Sequence, residues 1–294
     1  MRRNLNHPPR RSQQVALLSR SGRWVHQFVP YWDAPEWRGL RGRPAIVLGN
    51  SPAIGMVDHA HLRRVFTLGV NRIIRDFTPS AVMAVDQRIL KDEAGDLIAF
   101  DGPLVVYPGT AGSASHQSIL SRANGKVSAV LIADATDYKQ RAAWVWPRNP
   151  GDIFIRGGAT PFYAIQMLQV LGANPIGVLG VDFNEAALAA GRRATHHYGS
   201  AGGSNGGGQL VLHREVCARG LFFWGAHVGS RLINLSPYDD SPYTLLSRRI
   251  GMPRMTTEEF ANRYGTNRGV EGTDEIASAG QVCGGRPRVV GFPR

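Results

Sequence analysis

The 294-residue chain is 43% hydrophobic and 19% charged, a composition that supports a sizeable core and excludes disorder over the whole length. No apolar run reaches the roughly 18 to 20 residues of a membrane-spanning helix. The basic start, Met1–Arg11, is not followed by an apolar stretch of signal-peptide type, and Cys217 and Cys283 are too few for a disulfide framework or a structural zinc. These features predict a cytoplasmic, reduced protein with no membrane span.

The net charge of +12 is unevenly placed: residues 1–43 carry +7 and residues 281–294 carry +3, which leaves +2 for the body between them. The positive field therefore belongs to the two ends. Basic arms of this kind hold phosphate backbones or other anionic surfaces, so nucleic acid is a candidate partner. Arg outnumbers Lys 31 to 3, and solvated Arg-rich tails are the plainer alternative.

In chain order, residues 1–14 are polar and basic and are expected to be disordered. Residues 15–40 contain Trp24, Phe28, Tyr31, Trp32 and Trp37, which predicts an irregular arm packed on the body. Regular pattern begins at Pro44. The short apolar run at 45–48 reads as a buried strand, and 66–70, 81–85, 104–107, 127–133, 153–155, 176–181 and 231–235 read as further strands. Helices are expected at 56–65 with Asp58 in the first turn, at 160–171 ending on Gly172, at 209–224, and at 256–263, where Thr256 and Glu259 form a capping box. Strands alternating with helices predict an α/β fold, a Rossmann-like, mostly parallel sheet with helices on both faces. Gly199–Gly208 holds six Gly in ten residues and reads as a mobile lid loop. The expected organisation is a basic arm at 1–43, a nucleotide-dependent transferase domain at 44–264, and a Gly/Arg-rich tail at 265–294.

Chemistry concentrates where strands end. Gly49-Asn50-Ser51-Pro52 follows the first regular strand, and a Gly turn before a helix is expected to offer free backbone N–H groups to an anion. It is neither a Walker loop nor a dinucleotide fingerprint. Asn71 and Asp86 close the next two strands. Ligands bind at the C-terminal edge of open parallel sheets, which makes Asn50, Asn71 and Asp86 a candidate ligand edge. Capping by Asn and Asp is the alternative. Arg156-Gly157-Gly158-Ala159-Thr160 is a second Gly turn at a helix start, suited to a phosphate or ribose. Asp182 closes a later strand, and Asn234 and Ser236 occupy a polar turn where they are candidates for a base or ribose. His196 and His197 precede the Gly-rich loop and suit general-base work near neutral pH. A metal held by His196, His197, Asp182 and His213 is a rival reading, as is a pair of surface histidines; no metal is assigned.

Val47–Pro52, Val70-Asn71-Arg72, Gly157–Thr160, Gly180-Val181-Asp182, His197-Tyr198-Gly199 and Asn234–Pro237, taken in order, resemble one superfamily. It contains bacterial sialyltransferases of the lipooligosaccharide type and 6-hydroxymethylpterin diphosphokinase-like proteins, many of them phage-encoded. The resemblance spans roughly residues 44–253. It implies that Gly49, Asn50 and Asn71 bind a nucleotide, that Gly158 and Thr160 hold its ribose or phosphate, and that His196 or His197 takes the acceptor's proton. The chain departs from the pattern at Ser51, where Gly is usual, and in its Gly-rich lid and basic arm. The leading expectation is a glycosyltransferase that uses a nucleotide-activated sugar as donor and a hydroxyl acceptor, with modified DNA an acceptor to consider. Two alternatives stay open. One is an ATP-dependent diphosphokinase with Mg²⁺ on Asp86 and Asp182; the other is a non-catalytic nucleic-acid-binding protein.

Overall fold

The structure is a computed structural model, and it describes residues 28–30, 37, 39–84, 89, 92–106, 127–131, 160–181 and 231–265. Eight strands form one sheet: β1 (Phe28–Pro30), β2 (Ala45–Leu48), β3 (Phe66–Val70), β4 (Ala81–Ala84), β5 (Leu104–Val106), β6 (Val127–Leu131), β7 (Ile176–Leu179) and β8 (Leu232–Asn234). Their spatial order is β1-β6-β5-β4-β3-β2-β7-β8. β2 to β8 are mutually parallel, and β1 closes one edge antiparallel to β6. The α/β class expected from the sequence is therefore present.

The strand sequences explain this arrangement. Ala45–Leu48 is buried at every position, as is Ile176–Leu179, so neither strand has a solvent face. Continuous burial of this kind requires cover on both sides, which crossover helices of a parallel sheet provide. Ala45 and Val47 belong to one apolar cluster, with Leu68, Val70 and Val178 from other strands and Phe162, Ile165 and Leu168 from a covering helix. Ile46 and Leu48 face the opposite cluster, with Ile54, Leu62, Ile73, Phe77 and Phe260. A one-residue slip of β2 would exchange the two sets.

On the first face lie helix α3 (Thr160–Val170) and helix α4 (Pro242–Arg249). Every residue of α3 from Thr160 to Leu168 is buried. The expected stripe of Phe162, Ile165 and Leu168 is thus part of a helix enclosed all round from Thr160 to Leu168, in keeping with its largely apolar sequence. Gly172 follows α3 with φ +81, the left-handed conformation expected at that stop. Ser241 caps α4 by accepting from Thr244 N at 3.1 Å, and Pro242 begins the helix. On the second face lie two short helices, α1 (His59–Leu62) and α5 (Thr257–Tyr264), which touch one another. The capping box of α5 is formed in both directions: Thr256 N donates to Glu259 Oε2 at 2.7 Å, and Glu259 N donates to Thr256 Oγ1 at 3.1 Å. A further helix among the described residues, α2 (Ala94–Ala99), lies in sequence between β4 and β5.

Two expectations change. A helix over 56–65 is replaced by a 3₁₀ turn at Pro52–Met56, an extended Val57, and the four-residue α1. Asp58 sits not within the first turn of a long helix but at the cap of α1, where its Oδ1 accepts from Ala60 N at 2.8 Å. The residues before Pro44 are not all an irregular arm, because Phe28–Pro30 pairs with Leu131–Ala129 as an edge strand. Trp37 and Leu40 are buried in the first apolar cluster, so this stretch shares the core of the body. The strand expected at 153–155, the helix at 209–224 and the Gly-rich loop lie outside the described residues. Among the described residues no helix is long and apolar enough to cross a membrane.

Candidate ligand edge

From β2 the sheet grows one way through β3, β4, β5 and β6, and the other way through β7 and β8. The order therefore reverses between β2 and β7. In open parallel sheets such a reversal separates the loops on either side and opens a crevice at the C-terminal edge. The loop after β2 is Gly49-Asn50-Ser51, and the loop after β7 starts at Gly180, so these two loops flank the reversal point.

Here the two loops stay in contact beyond the strands. Gly49 N donates to Leu179 O at 2.8 Å, and Ser51 N donates to Gly180 O at 3.0 Å. A Cβ at position 49 would lie 2.1 Å from Gly180 O. Only glycine fits this crossing. Further along, Ala53 N donates to Ser51 Oγ at 3.1 Å and Ile54 N to Ser51 O at 3.2 Å. The expectation of free N–H groups in this turn is corrected: those of Gly49, Ser51, Ala53 and Ile54 are all engaged within the protein, and Pro52 has none. The 3₁₀ turn of five residues that follows also replaces the longer helix whose dipole was to attract an anion. The Asn50 side chain is buried, its carboxamide oxygen fully shielded from solvent.

The neighbouring loop is different. Asn71 follows β3 directly, with φ +54, in the left-handed region that Asn tolerates better than most side chains. Its Oδ1 accepts a hydrogen bond of 3.3 Å from Thr160 Oγ1 at the start of α3. Two residues 89 positions apart are thus brought together at the sheet edge. The Asn71 Nδ2 group retains two hydrogens and meets no acceptor among the described residues. Thr160 does not cap its own helix through this contact; it orients the carboxamide of Asn71.

Behind Asn71, the 3₁₀ turn Asn71–Arg75 carries two arginines held by acids. Arg72 Nε donates to Glu93 Oε1 at 2.6 Å and Arg72 Nη2 to Asp92 Oδ2 at 2.6 Å, while Arg75 Nε donates to Glu93 Oε2 at 2.7 Å. Glu93 is 1% exposed, so its charge is kept in the interior by these two guanidinium groups. Sequence reading missed this trio, because nothing in residue spacing links position 72 to position 93.

At the far edge, Asn234 and Ser236 serve the protein itself. Asn234 is fully buried; its Nδ2 donates to Thr244 Oγ1 at 3.2 Å and its Oδ1 accepts from Ser236 N at 2.8 Å. Ser236 Oγ accepts from Tyr238 N at 3.2 Å, and Ser236 O accepts from Arg254 Nη2 at 2.9 Å. The contact to a base or ribose expected of these two gives way to turn formation, the familiar use of Asn and Ser after a strand. Arg254 also pairs with Asp239 on the surface. The hydrogen bond and charge of Arg254, with a smaller contribution from Arg248, hold the Asp239 carboxyl below the usual carboxylate range.

Of the other candidates, Asp86, Gly157, Gly158, Asp182, His196, His197 and His213 lie outside the described residues. Among the described residues no group of three or more His, Cys, Asp or Glu is placed to hold a metal ion. No protein-family model matches the chain, and no curated protein or solved structure matches it.

Two outcomes follow from this geometry. Gly49→Ala should destabilise the protein by about 3 kcal/mol or more, since the clash is with backbone that cannot swing aside. Gly55→Ala, whose added methyl meets nothing within 4 Å, should change stability little in the same urea titration. For Asp239, a lowered folded-state pKa means that its contribution is present above the unfolded value and lost as pH falls through the folded one. Arg254→Ala should move the Asp239 titration, followed by carboxyl carbon NMR, up toward the ordinary range and remove that acid-side dependence.

Proposed function

We propose that the chain is a nucleotide-dependent group transferase of Rossmann-like type, with the nucleoside portion of the donor bound along the Asn71–Thr160 edge. The observation that carries the reading is the hydrogen bond from Thr160 Oγ1 to Asn71 Oδ1 at 3.3 Å. It joins the loop after β3 to the first turn of α3 and turns one carboxamide into an oriented donor. It stands one strand from the topological reversal, where ligands of open parallel sheets bind.

The polar set here favours the neutral part of a nucleotide. Asn50, Asn71 and Thr160 bear no charge, Arg72 and Arg75 are engaged by Asp92 and Glu93, and the backbone N–H groups of Gly49, Ser51, Ala53 and Ile54 are used internally. A carboxamide and a hydroxyl match the hydrogen-bonding edge of a base or a ribose, while a diphosphate calls for cations or open N–H groups.

The resemblance to the sialyltransferase-like superfamily supports glycosyl transfer as the reaction. The acceptor hydroxyl oxygen forms a bond to the anomeric carbon of the donor sugar, and the bond from that carbon to the nucleotide phosphate breaks. The hydroxyl proton passes to His197 or His196, and the nucleotide leaves with the bonding pair. Asp182 is positioned in sequence to support that base.

The test is thermal denaturation with nucleoside monophosphates, nucleotide-sugars and ATP, with and without Mg²⁺. A true donor at 100 times its Kd stabilises the fold by about 2.7 kcal/mol. A metal-independent shift with one nucleotide-sugar is expected, and Asn71→Ala should weaken binding roughly five- to tenfold through loss of a hydrogen bond. A Mg²⁺-dependent shift with ATP alone would point instead to diphosphate transfer. No shift with any member of the panel would refute a nucleotide site.

A further inference from the structure

Glu93 is the most deeply buried acid among the described residues, and it lies close to the candidate edge without being part of it. Each of its two oxygens receives one guanidinium nitrogen, from Arg72 at 2.6 Å and from Arg75 at 2.7 Å. Both arginines belong to the 3₁₀ turn whose first residue is Asn71. Glu93 itself belongs to the connection from β4 to β5, where its backbone N donates to Ile89 O at 2.9 Å and its carbonyl accepts from Leu97 N at 2.9 Å. The carboxylate therefore binds the loop after β3 to the segment after β4.

The backbone of Asn71 explains why such a clamp is needed. Asn tolerates φ +54 better than most side chains, yet the contacts around the turn still decide whether that conformation is held. Ile73, fully buried in the second apolar cluster, sets how deeply the turn sits on the sheet. A single apolar anchor leaves the turn free to pivot about that side chain. Two guanidinium groups, one on the residue before Ile73 and one two positions after it, converge on one fixed carboxylate and remove the pivot. The direction of the Asn71 carboxamide toward Thr160 is then set from behind.

We infer that Glu93 is a positioning residue: by gripping Arg72 and Arg75 it holds the Asn71 turn in the left-handed geometry that presents the carboxamide at the ligand edge. The ligand half of this inference rests on the nucleotide reading above; the conformational half does not.

The experiment uses the full chain, with Glu93→Gln as the main variant. Because the substitution removes a buried charge that two guanidinium groups face, folding of each variant is checked first. Arg75→Gln, which cuts only the more exposed arm, serves where Glu93→Gln does not fold. In ligand-free protein the side-chain amide pair of Asn71, assigned by its loss in Asn71→Ala, should shift or broaden in the variant. The pair of Asn234, at the far edge of the sheet, should stay in place. Glu93→Asp, which keeps the carboxylate, should restore much of the Asn71 signal. With the nucleotide-sugar that binds best in the panel, Glu93→Gln should weaken affinity roughly tenfold, about 1.4 kcal/mol, in the wild-type background and have no further effect on Asn71→Ala. An unchanged Asn71 amide in a folded variant would overturn the inference, and so would independent, additive losses in the two backgrounds. If wild type binds no nucleotide, the functional reading fails, while the amide measurement still decides the role of Glu93.

Discussion

The crossing of Gly49 and Gly180 governs the candidate site. Two parallel strands, β2 and β7, leave the sheet at the point where its order reverses, and their backbones remain hydrogen-bonded for two residues more. No side chain fits between them. The crossing uses the N–H groups of Gly49 and Ser51, two of those a phosphate in this turn would need. The next loop along, at Asn71, supplies a side-chain group at the edge instead.

That loop shows how a parallel sheet can hold a polar group rigidly at its rim. β3 is buried beneath it, Ile73 fixes its depth, and Thr160 reaches across from the start of α3. Burial of α3 on all sides makes this reach reliable, because the helix cannot shift without disturbing the apolar cluster shared with β2, β3 and β4. The ionic trio of Arg72, Arg75 and Glu93 completes the support. A carboxylate buried between two guanidinium groups contributes less to net stability than its geometry suggests, since desolvation offsets much of the attraction. Its value lies in defining one arrangement of the loop.

Much of the scaffold was legible in the sequence. The strand at 45–48 follows from an unbroken apolar run, because a strand buried on both faces leaves no polar position to blur its limits, and the strand at 66–70 was readable despite Thr67. The capping box at Thr256 and the stop at Gly172 depend on local chemistry and were equally readable. The Ser241-Pro242 start of α4 carried the same kind of signal and was overlooked. The failures are tertiary. The N–H groups after β2 look available until Leu179 and Gly180, some 130 positions on, take them. Asn234 looks like a ligand residue until Thr244 and Ser236 claim both ends of its carboxamide. The helix expected at 56–65 yields to an extended Val57 and to Asp58 capping a shorter one, in a segment where His59 Nε2 and Ile54 O form a hydrogen bond of 3.1 Å.

If a nucleotide rests on the rim formed by Asn71 and Thr160, amide hydrogen exchange, read by mass spectrometry with and without a mixture of nucleotides and nucleotide-sugars, should show added protection in peptides covering residues 70–76 and 160–164, with residues 250–264 unchanged. Protection confined to the α5 side of the sheet, or none anywhere, would contradict that placement.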